Sequence, residues 1–153
     1  MRIATWLSRL SGFSIAILLT AAVPATAADT CAFDKGTFRL VEDDSFTFTM
    51  LPPPPGSAAK LAQAEITRGD KAILKGFLTA SQGFSRIYFV PDDPALEDSN
   101  LALTFLDKGL RNSTDKADYM VIQNLPADMY YKTRELWTEH PINGEIWVRA
   151  SCP

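Results

Sequence analysis

The sequence predicts a mainly β domain: a β-sandwich or a small barrel with one or two short helices. Three observations lead there. Thr37–Val41 and Ser45–Met50 alternate apolar and polar residues with period two. Further short apolar runs follow, separated by turn signals at close intervals. Clear helical spacing is confined to the stretch after Asn124. An α+β layer fold is the alternative if that helix forms.

The N-terminus is read first. Arg2 and Arg9 give a positive start without an acid, Phe13–Val23 is apolar, Pro24 breaks any helix, and Ala25-Thr26-Ala27 is small. This order predicts a cleavable export signal over residues 1–27 and one globular exported domain over 28–153, periplasmic or secreted. The apolar run is shorter than the roughly 20 residues a spanning helix needs, so an uncleaved anchor is disfavoured and no membrane span is expected in the mature chain. Cleavage before Ala28 leaves 126 residues and takes the formal charge from −3 to −5, because Arg2 and Arg9 leave while all 18 acids stay. A chain of that size can bury a real core. Lysine and arginine are scattered singly among acids, which argues against a nucleic-acid partner.

Phe38 and Leu40 alternate against polar neighbours, Glu42-Asp43-Asp44 turns, and Phe46, Phe48 and Met50 share the next face, so a hairpin is expected. Pro52–Pro55 ends it as a stiff extended loop. Ser57 is placed to cap a short helix over Ala58–Ile66, although entry into a strand near Ala64 stays open. Arg68-Gly69-Asp70-Lys71 is a turn, Ala72–Ala80 a strand, Ser81-Gln82-Gly83 a turn and Phe84–Val90 a strand. Asp92-Asp93-Pro94 opens a polar loop. Leu101–Asp107 is too densely apolar for its period to separate strand from helix, whereas Asp118–Gln123 reads as a buried strand. Asn124 and Pro126 start a helix, on which Leu125, Met129, Thr133, Leu136 and Trp137 recur at helical spacing. Asn143-Gly144 reads as a turn before the closing strand Glu145–Ser151.

The mature chain has two cysteines, Cys31 and Cys152, at its opposite ends. An even count in an oxidising compartment predicts one structural disulfide, which requires the first and last segments to lie side by side. Two isolated thiols suit neither a redox pair nor a metal site.

Catalytic signals are few. His140, the sole histidine, precedes Pro141 and reads as a solvated turn residue. Ser57-x-x-Lys60 and Ser113-x-x-Lys116 both match a nucleophile–amine spacing, but the companion motifs of serine acyl-transferases are missing. Asp92, Asp93, Glu97 and Asp98 cluster without the spacing of a calcium loop and read as an acidic solvated loop. Arg68-Gly69-Asp70 matches an adhesion tripeptide but is ordinary hairpin chemistry, and Asn112-Ser113-Thr114 is a glycosylation sequon that matters only in a glycosylating host. No cofactor and no metal is expected.

The most distinctive concentration is aromatic: Tyr130, Tyr131, Trp137 and Trp147 fall within the last 24 residues. Such side chains pack a core or, when presented together, stack on sugar rings or anchor a protein. Trp147 points away from both Ile146 and Val148, so that strand has one face to hide and one to show. The expectation is an exported module that binds a protein or an envelope glycan without catalysis. A small carboxylate-based hydrolase and a structural envelope component are the alternatives.

Overall fold

A computed structural model describes residues 36–58, 60–81 and 86–151. Its strands are β1 (Thr37–Leu40), β2 (Phe46–Leu51), β3 (Ala62–Arg68), β4 (Lys71–Ala80), β5 (Ile87–Pro91), β6 (Leu101–Leu106), β7 (Tyr119–Ile122) and β8 (Ile146–Ser151). Each pairs antiparallel with the next, and β8 pairs back with β1, so the sheet closes into an up-and-down barrel. Closure leaves no free sheet edge and settles the choice between sandwich, barrel and layered α+β fold. Two short helices, α1 (Leu125–Lys132) and α2 (Arg134–Glu139), lie between β7 and β8.

Period two explains the closure. Phe38 and Leu40, then Phe46, Phe48 and Met50, point inward and are buried, while the residues between them face out. Eight strands make an interior just wide enough for side chains to fill. Rings do much of the filling. Phe48 meets Phe89 at 5.5 Å and Trp147 at 6.1 Å, both edge to face, and Phe38 meets Phe105 at 6.2 Å. Where the β5 backbone comes closest to β4, only hydrogen fits: a Cβ on Gly76 would stand 2.2 Å from the Val90 carbonyl oxygen.

The two barrel ends differ. At one end β1 begins and β8 finishes. There Arg149 turns inward, its guanidinium 5.0 Å from the Phe38 ring and its Nε donating to the Ala117 carbonyl. Burial pulls the Arg149 pKa below the usual arginine value, and the Asp118 charge opposes that shift. The other end is capped. Leu96, Leu125, Met129 and Ile142 are fully buried against the core there. The helices are tied down by Lys71 Nζ to Glu139 Oε1 at 2.5 Å, Arg68 Nη1 donating to the Glu139 carbonyl at 3.3 Å, and Lys132 Nζ donating to Ser99 Oγ at 3.0 Å.

Several expectations need correcting. The helix expected over Ala58–Ile66 is not found among the described residues: Ser57 donates from Oγ to the Pro54 carbonyl in a local turn, and β3 starts at Ala62. Ala62, Ala64 and Ile66 all face the core, and pairing with β2 and β4 on both sides outweighs alanine's helix propensity. Asn143-Gly144 is not a turn. Residues 141–145 lead into β8 without a turn or bend, held by Ile122 N donating to the Glu145 carbonyl and by buried Ile142. The 92–100 loop is less polar than it reads: Asp93 caps a one-turn 3-10 helix, Pro94–Leu96, that delivers Leu96 to the core. Leu101–Leu106 is a strand, and the helical spacing after Asn124 divides at Thr133 into two helices. The proposed signal (1–27), Cys31 and Cys152 lie outside the described residues, so the disulfide is not part of the described fold.

The outer wall is uneven. On β1, β3 and β4 its outward positions include Arg39, Glu65 and Lys75. On β5 and β6 they are Tyr88, Val90, Ala102, Thr104 and Leu106. On β7 and β8 they are Tyr119, Val121, Ile146, Val148 and Ala150. Half of the wall therefore carries no charge within its strands.

Candidate functional site

The helical cap gathers three of the four aromatic candidates. Tyr130 and Tyr131 end α1, and Trp137 lies in α2. The break between the helices is Thr133, whose backbone is non-helical at φ −128° and ψ 56°. Its Oγ1 and its N–H both donate to the Met129 carbonyl at 3.0 Å, so the joint is pinned and buried. The bend returns Trp137 onto Tyr130 with ring centroids 5.0 Å apart and planes at 89°; Tyr131 also meets Tyr130, at 5.0 Å and 87°. These are the edge-to-face arrangements that the ring quadrupole favours.

Accessibility grades along this row. Trp137 is half-buried and packs against the core, Tyr130 is half-buried, and Tyr131 is 81 % exposed. Arg134 lays its guanidinium over the Tyr130 ring, 4.6 Å from the centroid. The sequence reading missed Arg134, because the bend at Thr133, which sets Arg134 at the start of α2 beside Tyr130, is not announced by helical spacing. The result is an aromatic step with one cationic group and one ring turned to solvent.

Trp147 does not join it. It is fully buried inside the barrel against Phe48. Its closeness in sequence to the other aromatics reflects chain order, whereas strand pairing on both sides fixes it on the interior face.

The other candidates find local employment. His140 is buried rather than solvated, at 7 % exposure. Its Nε2 stands 3.3 Å from Glu139 Oε1, and neither ring nitrogen is hydrogen-bonded. Arg68 is drawn from the hairpin tip to Asp43, the Glu139 carbonyl and the Phe46 ring, which leaves the adhesion tripeptide's cation committed to the fold. Ser113 Oγ accepts from the Lys116 N–H at 3.3 Å in another turn. Among the described residues no three His, Cys, Asp or Glu side chains group as a metal site.

Two surface cavities stand out among the described residues. One, of about 700 Å³, borders Arg86, Thr104, Asn112 and Gln123. The other, of about 370 Å³, lies over β3 and β4 between Lys60, Glu65, Lys75 and Phe77. Three carboxyls have pKa values below the usual range: Asp43 through its hydrogen bonds from Ser45, Asp107 chiefly through the Arg111 N–H, and Glu139 chiefly through Lys71. None of the three lines either cavity. A hydrolytic pair needs one carboxyl raised instead, so these shifts lend the hydrolase reading no support.

The chain matches no family model, no curated protein and no solved structure.

Proposed function

We propose that this chain is an exported, non-catalytic binding module whose recognition surface is the aromatic step on its cap: Tyr131, Tyr130 and Trp137 with Arg134. The observation that carries this reading is Tyr131, 81 % exposed yet fixed edge to face against Tyr130. Displaying an aromatic ring to water forgoes the burial that large apolar side chains usually gain, and a ring held in place loses little entropy on binding. A pre-ordered ring suits the C–H face of a sugar or an apolar anchor of a protein, and Arg134 adds a cation for a carboxylate. The export signal over residues 1–27 supports a partner outside the cytoplasm, protein or envelope glycan. A disulfide between Cys31 and Cys152 belongs to the same proposal, supported by the pairing of Thr37 with Ser151 where the first and last strands meet.

The test is a titration of the mature protein with soluble cell-wall glycan fragments, alongside a pull-down from the exported compartment, each repeated with Tyr131→Ala and Trp137→Ala. Tyr131→Ala is expected to weaken binding about 30-fold or more, the roughly 2 kcal/mol of an interface anchor. Full affinity in Tyr131→Ala would refute this surface.

A further inference from the structure

The larger of the two cavities lies on the outer wall over β6. It contains Ala102 and Thr104, two small outward side chains of that strand, opposite Tyr88 on β5 and Val121 on β7 respectively. Ala102 faces out and is still only 6 % exposed, so the surface around it rises above it. One rim is built by the chain that follows β6. Asp107 Oδ1 accepts from the N–H groups of Gly109 and Arg111, and the Asp107 N–H donates to the Arg111 carbonyl. Asn112 then bridges Leu106, and the Ser113 N–H donates to the Phe105 carbonyl at 3.0 Å. Residues 112–115 are thereby folded back along β6. Gln123, whose N–H donates to the Ala102 carbonyl, and Arg86, just before β5, also border the cavity.

The polar groups of this cavity are uncommitted. Among the described residues, no hydrogen bond or ion pair engages the side chains of Arg86, Thr104, Asn112, Thr114, Asp115 or Gln123. Elsewhere such groups are taken up by the fold. Thr133 and Thr138 donate to carbonyls of their own segment, and Lys71 and Arg111 pair with carboxylates. Ser113 Oγ accepts from the Lys116 N–H, which leaves its hydroxyl hydrogen to donate into the cavity. We propose that this cavity binds a neutral oligosaccharide. Hydroxyls and side-chain amides each donate and accept, which is what an array of sugar hydroxyls requires. One guanidinium and one carboxylate cancel, so the described lining favours neither an anion nor a cation. The volume of about 700 Å³ falls within the roughly 300–1,000 Å³ of small-ligand sites. The hydrogen bonds at Asp107 fix the rim before a ligand arrives, which lowers the entropy lost on binding. A peptide fits less well. The closed barrel has no edge to accept a strand. Leu103 and Phe105 border the cavity but turn into the core, at 6 % and 4 % exposure, so neither forms a pocket for an apolar anchor. The site shares no residue with the aromatic step on the cap, so either can fail alone.

The experiment is calorimetric titration with chitotetraose, maltotetraose and cellotetraose as neutral probes and tetragalacturonate as an acidic one. The protein is produced without N-glycosylation, so that Asn112, which opens a sequon, stays free. Titrations are run on the wild type and on Tyr131→Ala, which removes the exposed ring of the cap. The expected result is that at least one neutral probe binds Tyr131→Ala, and tetragalacturonate binds it at least tenfold more weakly. In that background Asn112→Ala and Gln123→Ala are each expected to weaken binding about fivefold, the loss of one hydrogen bond. Thr104→Tyr, which fills the cavity, is expected to abolish it. Should Thr104→Tyr fail to fold, the other two variants carry the test, because their side chains hold no bond in the fold. Binding by none of the neutral probes overturns the proposal. So does binding to the wild type that vanishes in Tyr131→Ala, which assigns the sugar to the cap. Undiminished affinity in Asn112→Ala with Gln123→Ala, or a preference for tetragalacturonate, overturns it as well.

Discussion

At the scale of single residues, Trp147 and the shifted carboxyls carry different parts of the stability. Trp147 is fully buried and touches Phe48, which in turn touches Phe89, so one side chain links β8 to β2 and β5 across the barrel. Trp147→Ala removes that link and leaves a cavity in a close-packed interior. The expected loss is about 3–5 kcal/mol, read from the midpoint of urea unfolding. Trp147→Phe keeps most of the ring and deletes an indole N–H with no hydrogen-bond partner, so its cost is expected to be clearly smaller. Equal losses in the two variants would show that the indole N–H matters more than the packing. Asp43, Asp107 and Glu139 act through pH instead. Their folded pKa values lie below the ordinary 3.8 for aspartate and 4.5 for glutamate. A carboxyl lowered in this way adds stability above its unfolded pKa and loses it as pH falls through its folded one. The melting temperature is therefore expected to fall as pH drops below about 4.5, by an increment that Asp107→Asn reduces. Melting curves that shift identically with pH in the wild type and Asp107→Asn would contradict the assignment of Asp107.

At the scale of elements, the β4–β5 pair depends on a missing side chain. A Cβ on Gly76 meets the Val90 carbonyl oxygen at 2.2 Å and Pro91 Cα at 2.8 Å, both backbone atoms that can move only if the strand moves. Gly144 also lacks room, but its nearest neighbour is the Glu42 carboxylate at 1.9 Å, the tip of an exposed, flexible side chain. Gly76→Ala is expected to cost about 1–3 kcal/mol as an overpacked site does, whereas Gly144→Ala costs less, because Glu42 can swing away. Chemical denaturation of the two variants makes the comparison, and equal losses would show that the β5 backbone yields as readily as Glu42. Elements of this kind differ in how far the sequence announces them. Phe46, Phe48 and Met50 spell out β2 because one of its faces is wet. The alanines before Ile66 favour a helix locally, and only pairing with β2 and β4 makes that stretch a strand. Asn143-Gly144 carries turn chemistry that the tethering of Glu145 to Ile122 overrides. The same limit applies to the site. Tyr130, Tyr131 and Trp137 are legible as a concentration of rings, but their edge-to-face row depends on the bend at Thr133. The phase of β8 is legible as well, whereas which side of it lies inside depends on the closed sheet.

At the scale of the whole molecule, closure is the event that joins the chain's two ends. β1 meets β8 at a seam that pairs Thr37 with Ser151, Arg39 with Val148 and Leu40 with Trp147. Cys152 follows Ser151 directly, and Cys31 precedes Thr37 by six residues. Six residues reach at most about 20 Å when extended, ample to bring one cysteine to the other at this end of the barrel. The proposed bridge would close a loop over residues 31–152 and staple the seam between β1 and β8. The chain-entropy estimate for a loop of that length is up to about 4–5 kcal/mol, acting mostly by restricting the unfolded chain. If the chain is exported and oxidised as proposed, it is expected to show no alkylatable thiol before reduction and two after it. Its urea midpoint is expected to fall on reduction, while the far-ultraviolet circular dichroism of the folded state stays the same, because β1 and β8 are hydrogen-bonded with or without the bridge. Cys31→Ser with Cys152→Ser should reproduce the reduced protein's midpoint without reductant. Two alkylatable thiols in the native protein recovered from an oxidising compartment would refute the bridge. A midpoint indifferent to reduction of a bridge that is present would instead mean that the seam is already held shut in the unfolded ensemble, so that the covalent link removes no freedom.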